Sequence, residues 1–185
     1  MKPIIMSTED VRATLDGWKT MTRMPIKHQP DKSAQFMRIS CGRACFETDT
    51  DMWNIMLPYK PGDVLWVRET WELMTPKQNE GPDFYLHRAD GLECESNPWF
   101  SAWRSPVTMP REAARLFLRV KDVRVERVQD ISPEDCESEG YFEAEPVEPR
   151  PRSWFSAVWD ARNAKRGYGW DSNPFVWVIS FERLE

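Results

Sequence analysis

The stretch Leu116–Val128 limits the fold more than any other part of the chain. Leu116, Leu118 and Val120 alternate on one face, the phase slips by one at Lys121-Asp122, and Val123 and Val125 resume it. A period of two marks a half-buried strand. A one-residue slip inside it predicts a bulge or sharp bend, the device by which a small barrel turns a corner. Two more segments read as strands. Val64–Trp71 follows the turn Pro58–Asp63, is strand-like throughout, and is expected to be buried on both faces. Phe175, Trp177, Ile179 and Phe181 alternate along a closing strand over 175–184. Asp83–Ala89 predicts a shorter strand, and Lys19–Arg23, rich in Thr, an extended segment.

Helices are signalled by their caps. Ser7 followed by Asp10, with Met6 and Val11 at the staple positions and Gly17 beyond, predicts a helix from Thr8 to Asp16. Ser132-Pro133-Glu134-Asp135 is a second capping box with proline at the first helical position, closed by Gly140. Ser153–Arg166 is amphipathic, with Trp154, Phe155, Val158 and Trp159 on one stripe. Elsewhere no period is evident: 24–58 reads as an irregular insertion, 72–82 and 142–152 as loops, and Ser96–Arg111 as an aperiodic mixture of Trp, Pro and Arg. About five strands and three helices that do not alternate regularly predict an α+β fold. The expected form is one domain over 1–185, a small, mostly antiparallel barrel with flanking helices and long insertions.

Composition narrows the function. Ten Trp, nine Phe and four Tyr in 185 residues are too many for a disordered chain. The net charge of −5 argues against coating of long DNA or RNA, because phosphate neutralisation supplies most non-specific affinity. No run of apolar residues is long enough to span a bilayer, and the apolar part of MKPIIMSTED is too short for a signal peptide. Four scattered cysteines read as reduced thiols. The expectation is a cytoplasmic protein with no membrane partner. Arginine outnumbers lysine seventeen to eight, and guanidinium groups stack on aromatics and clamp base edges or planar anions. An aromatic pocket rimmed by arginines is one reading of this; indoles that only fill the core are the other.

The familiar catalytic constellations are missing. There is no phosphate-binding glycine loop, no GxSxG elbow and no HExxH pair, and two histidines leave little material for a triad. Cys41 and Cys45, with His28 or Cys94, have a permissible zinc spacing, but no second pair accompanies them, so no metal or other cofactor is required. What remains is Gly17-Trp18-Lys19-Thr20-Met21-Thr22-Arg23. A neutral lysine can take the proton of a threonine hydroxyl, whose alkoxide then attacks a carbonyl. Burial or a neighbouring arginine lowers a lysine pKa far enough for that role. On a regular strand Lys19 and Thr22 point to opposite faces, so the scheme needs a turn between them. The plainer alternative is a solvated helix exit. Glu69 shares a strand face with Leu65, Val67 and Trp71, where a carboxylate is costly unless paired. It either forms a structural ion pair with an arginine or lines a site beside Arg68. Arg104, Arg111 and Arg115 either rim a cleft or serve solubility.

The order helix, Gly-x-Lys-Thr-x-Thr, turn, Pro61-Gly62-Asp63-Val64-Leu65-x-Val67, with Phe175–Phe181 as closing strand, resembles the ASCH family, whose fold is a PUA-like barrel. Trp66-Val67-Arg68-Glu69-Thr70-Trp71 and Arg166-Gly167-Tyr168-Gly169-Trp170-Asp171 are similar to a longer branch associated with phages and prophages, which would place the protein in a host cytoplasm. Relative to small members, the chain carries insertions at about 24–58, 72–110 and 141–173. The resemblance implies amide hydrolysis of N4-acetylcytidine, with Lys19 as base, Thr22 as nucleophile and Glu139 as acid or orienting group. It implies no cofactor. Met24 stands where members often carry arginine, with Arg23 one residue earlier, and Trp18 offers an indole as a stacking wall. Substrate contacts are expected from Trp18, Arg23, Arg68, Glu69, Arg104 and Arg111.

Three functions follow as expectations. The first is an amidohydrolase of an N4-modified cytosine nucleoside; the second is an RNA or modified-base binding module without turnover; the third is a metal-independent ribonuclease. The acidic balance favours a nucleoside or short RNA in a pocket over a basic stripe.

Overall fold

Ser7 accepts a hydrogen bond from the Asp10 amide at 3.2 Å and opens helix α1 (Thr8–Leu15), as its capping box requires. The computed structural model describes residues 1–76, 81–91, 100–141 and 150–184. They divide into two compact units. The first contains Met1–Gly17, Val64–Arg119 and the chain end from Arg183; the second contains Trp18–Asp63 and Val120–Glu182.

In the first unit β1 (Lys2–Ile5) runs parallel to β6 (Val64–Arg68), and β6 pairs antiparallel with the start of β9 (Phe117–Arg127). A hairpin of β7 (Trp71–Met74) and β8 (Phe84–His87) carries a small core of Trp71, Met109 and Ala113. Along β6 the burial alternates instead of covering both faces: Leu65 and Val67 are fully buried, whereas Trp66 and Arg68 are only partly so. Those two outer side chains stack on each other, the Arg68 guanidinium 5.2 Å from the Trp66 ring centroid.

In the second unit β10 (Phe175–Leu184) pairs antiparallel with β2 (Met21–Pro25). Val176 and Val178 of β10 pack with Phe155 and Trp159 of α3 (Pro151–Asn163) and Cys136 of α2 (Pro133–Ser138). Phe175 meets Phe46 edge-on at 4.9 Å. β10 is buried on both faces from Phe175 to Ile179, each apolar side chain contributing roughly 1.5–3 kcal/mol. In β9 Lys121 and Asp122 are consecutive exposed residues between buried Val120 and buried Val123, so the slip in the sequence is a slip in burial.

The architecture is α+β with mostly antiparallel sheets and three α-helices among the described residues. The strand order is β1-β6-β9 in the first unit and β9-β10-β2 in the second. β1 pairs only with β6 and β2 only with β10, so the expected closed barrel does not form among the described residues.

The segment 24–58 is not irregular. It holds an antiparallel sheet of β3 (Gln35–Ser40), β4 (Arg43–Glu47) and β5 (Met52–Met56). Its alternation is broken by a register shift between Phe36 and Arg38. Its first turn, Cys41-Gly42, has φ of 50° and 73°, a two-residue hairpin turn in which cysteine occupies a place that usually advertises itself as Asn or Asp. Likewise β7 occupies the start of the predicted 72–82 loop, and β1 forms where no strand is expected. The residues 142–149, within the predicted 142–152 loop, lie outside the described residues, as does Cys94.

Candidate functional site

Gly17, with φ of +84°, turns the chain out of α1 and into the segment that carries Lys19. The next residue is pinned on both sides: the Thr20 amide donates to the Ser138 carbonyl at 2.9 Å, and the Thr20 carbonyl accepts from Phe181 at 2.9 Å. Lys19 is thereby held inside the protein, 2% exposed. Its Nζ donates to Glu139 Oε2 at 2.7 Å and to the Glu139 carbonyl at 2.8 Å. The second bond satisfies a carbonyl that the end of α2 leaves without a helical partner.

Arg23 completes the arrangement from β2. Its side chain is wholly buried, with Nη1 3.3 Å from Glu139 Oε1 and Nη2 3.0 Å from Glu126 Oε2. Nη2 also pairs with Asp135 Oδ2, and the guanidinium lies 5.7 Å from the Phe155 ring centroid. Arg124 bonds the same Glu126 and Asp135 from β9. Three cations and three carboxylates are thus interlocked, which offsets the desolvation that any one of them would suffer alone. Burial opposes the charge on Arg124, but hydrogen bonds and attraction from Glu126 and Asp135 outweigh it and raise its pKa. The Cys136 thiol beside them is pushed up to about 11, by burial first, with Glu139 and Asp135 adding to the shift and Arg23 opposing it.

Thr22 is half-buried on β2 opposite Ile179. Met21 and Arg23 are both buried, so strand alternation turns Thr22 to the other face, and among the described residues it forms no hydrogen bond with Lys19 or Glu139. Trp18 is 53% exposed, directly before the buried lysine. Of the expected residues, then, Lys19, Arg23 and Glu139 are brought into one network, with Trp18 and Thr22 adjoining in sequence. Arg23 is consumed by carboxylates.

Arg68, Glu69, Arg104 and Arg111 belong to the first unit. Glu69, 1% exposed, is held by both arms of Arg115 at 3.0 and 3.1 Å, and Arg115 also bonds Asp90 at 2.5 Å. Arg68 donates to the carbonyls of Val107 and Met109. Arg104 pairs with buried Glu72 at 3.1 Å and lies 5.2 Å from the Trp71 ring centroid. Arg111 is exposed, its Nη2 against Met1 Sδ. Glu69 is thus paired with an arginine.

Arg124 and Glu126 escaped the sequence reading, although their i, i+2 spacing on a strand puts them on one face and was the available signal. Among the described residues no group of three His, Cys, Asp or Glu is placed to hold a metal ion, and no helix is long and apolar enough to cross a membrane. Compared with known proteins, the chain matches no family model, no curated protein and no solved structure.

Proposed function

We propose that the protein is an amidohydrolase that removes an acyl group from the exocyclic N4 of a modified cytosine nucleoside, on an ASCH-type, PUA-like scaffold. One observation carries the reading. Lys19 and Glu139 are the residues that the motif resemblance pairs as base and acid, and they lie 2.7 Å apart and buried although 120 positions separate them. Such a pair exchanges a proton without changing net charge. Transfer from the Lys19 ammonium to the Glu139 carboxylate leaves a neutral amine beside a carboxylic acid. The amine takes the Thr22 hydroxyl proton, and the alkoxide adds to the acyl carbon. As the C–N4 bond breaks, Glu139 returns its proton to N4 and cytidine leaves. In a second round Lys19 deprotonates water, which adds to the acyl-threonine ester, and Glu139 protonates the Thr22 oxygen as the free acid leaves.

The exposed Trp18 supplies a face on which a base stacks. Strand alternation turns Thr22 away from Lys19, so the scheme requires the start of β2 to turn over when substrate binds. That same separation favours the second reading, a base-binding module without turnover.

The test is intact-mass spectrometry of protein quenched during reaction with N4-acetylcytidine. An acetyl adduct that maps to Thr22 supports the proposal. Cytidine release with no adduct in wild type or in slowed variants would remove Thr22 as nucleophile, and neither product nor adduct would leave the binding module.

A further inference from the structure

The two edges of the β3-β4-β5 sheet are built differently. β3 carries Arg38 and the register shift beside it, and a bulge and a charge are the devices by which edge strands avoid pairing with one another. β5 has neither. Its register with β4 is continuous from Met52 to Met56, and Met52-Trp53-Asn54-Ile55-Met56 contains no charge, proline or glycine. Met52, Trp53 and Met56 are 66%, 41% and 65% exposed. An apolar edge without a charge, proline or bulge is a template for another strand.

The strand is complementary to its own reverse. Antiparallel pairing of two copies about Asn54 sets Met52 opposite the partner's Met56 on both sides of the axis. It also sets Trp53 opposite the partner's Ile55, and aromatic against β-branched is among the favourable cross-strand pairs. Within Met52–Met56, two copies of a chain of net charge −5 set no like charges against each other.

We propose that β5 is a homodimerisation edge, two copies joining antiparallel about Asn54 so that their three-stranded sheets become one sheet of six strands. The pairing is independent of the catalytic reading.

The test is sedimentation equilibrium of the full chain from about 1 to about 100 µM, the window in which a dimer of micromolar Kd assembles. Wild type should rise from one to two chain masses of 21.8 kDa. Met52→Lys with Met56→Lys sets like charges opposite each other and should stay monomeric. Met52→Lys with Met56→Glu sets opposite charges across the same register and should dimerise. Both pairs sit at exposed positions, and circular dichroism confirms that the fold is unchanged. A monomeric wild type at the highest concentration overturns the proposal, as does a double-lysine variant that still dimerises. A Lys/Glu variant that stays monomeric overturns the Asn54-centred register. Loss of the dimer in Met37→Lys alone would move the contact to β3 and overturn it too.

Discussion

Lys19 Nζ lies 2.7 Å from Glu139 Oε2, with the two side chains 1% and 5% exposed. A buried ammonium and a buried carboxylate are each costly alone, and their attraction repays that cost only where further hydrogen bonds complete both groups. Here the Glu139 carbonyl completes the lysine and Arg23 completes the carboxylate. The consequences are asymmetric, and they are measurable.

Glu139→Gln leaves Lys19 and Arg23 without their shared anion. Breaking a buried pair in this way costs about 3–5 kcal/mol. Lys19→Met removes one cation while Arg23 still compensates the carboxylate, so its cost should be smaller, about 1–3 kcal/mol. Urea unfolding of both variants checks the ranking; equal losses would mean that Arg23 does not share the load.

In the first unit, Arg115→Met strands the buried Glu69 carboxylate and should cost a similar 3–5 kcal/mol or about that. Arg111→Ala, at an exposed side chain without a carboxylate partner among the described residues, should change stability by no more than about 0.5 kcal/mol. The same denaturation series measures both.

Cys136 should be chemically inert. Burial holds its thiol neutral up to a pKa of about 11, above the ordinary 9.0, so the unfolded chain deprotonates first as pH rises. The folded state therefore loses stability as pH climbs from about 9 towards 11, and is unaffected by this group below that window. Thiol labelling should modify exposed Cys41 at once and Cys136 only on unfolding. In Cys136→Ala the alkaline decline should be shallower.

How much of this was legible in the sequence depends on whether the signal was local. Ser7-x-x-Asp10 and Ser132-x-x-Asp135 announced α1 and α2 because a cap is a short-range hydrogen bond, and both cap bonds form. The slip at Lys121-Asp122 was readable because burial follows period. β3–β5 stayed hidden, since the shift at Phe36/Arg38 scrambles the alternation and Cys41 replaces the usual turn residue. The Lys19–Glu139 pair came from a motif resemblance, not from spacing. The Arg124–Asp135 and Arg23–Glu126 contacts depend on tertiary packing that one sequence does not spell out.

Nucleoside binding should depend on stacking more than on phosphate contacts. Trp18→Ala should weaken cytidine binding by the roughly 1–3 kcal/mol that a stacked base contributes, about 5- to 150-fold. A log–log salt slope of about two or less is expected for short RNA, since each neutralised phosphate adds roughly 0.7–0.9. Fluorescence titration at several salt concentrations measures both quantities. A slope near five without affinity for free cytidine would mark a polyanion track.

The central claim is tested most directly by the release of cytidine and acetate from N4-acetylcytidine, followed by chromatography for wild type, Lys19→Ala, Thr22→Ala and the Lys19→Ala/Thr22→Ala double variant. The account predicts turnover by wild type and its loss in each single variant. The double variant should be hardly worse than either, because residues that act as a unit are not additive. Wild-type protein that binds the nucleoside yet releases no product at high enzyme concentration would contradict it, and so would full activity in Lys19→Ala.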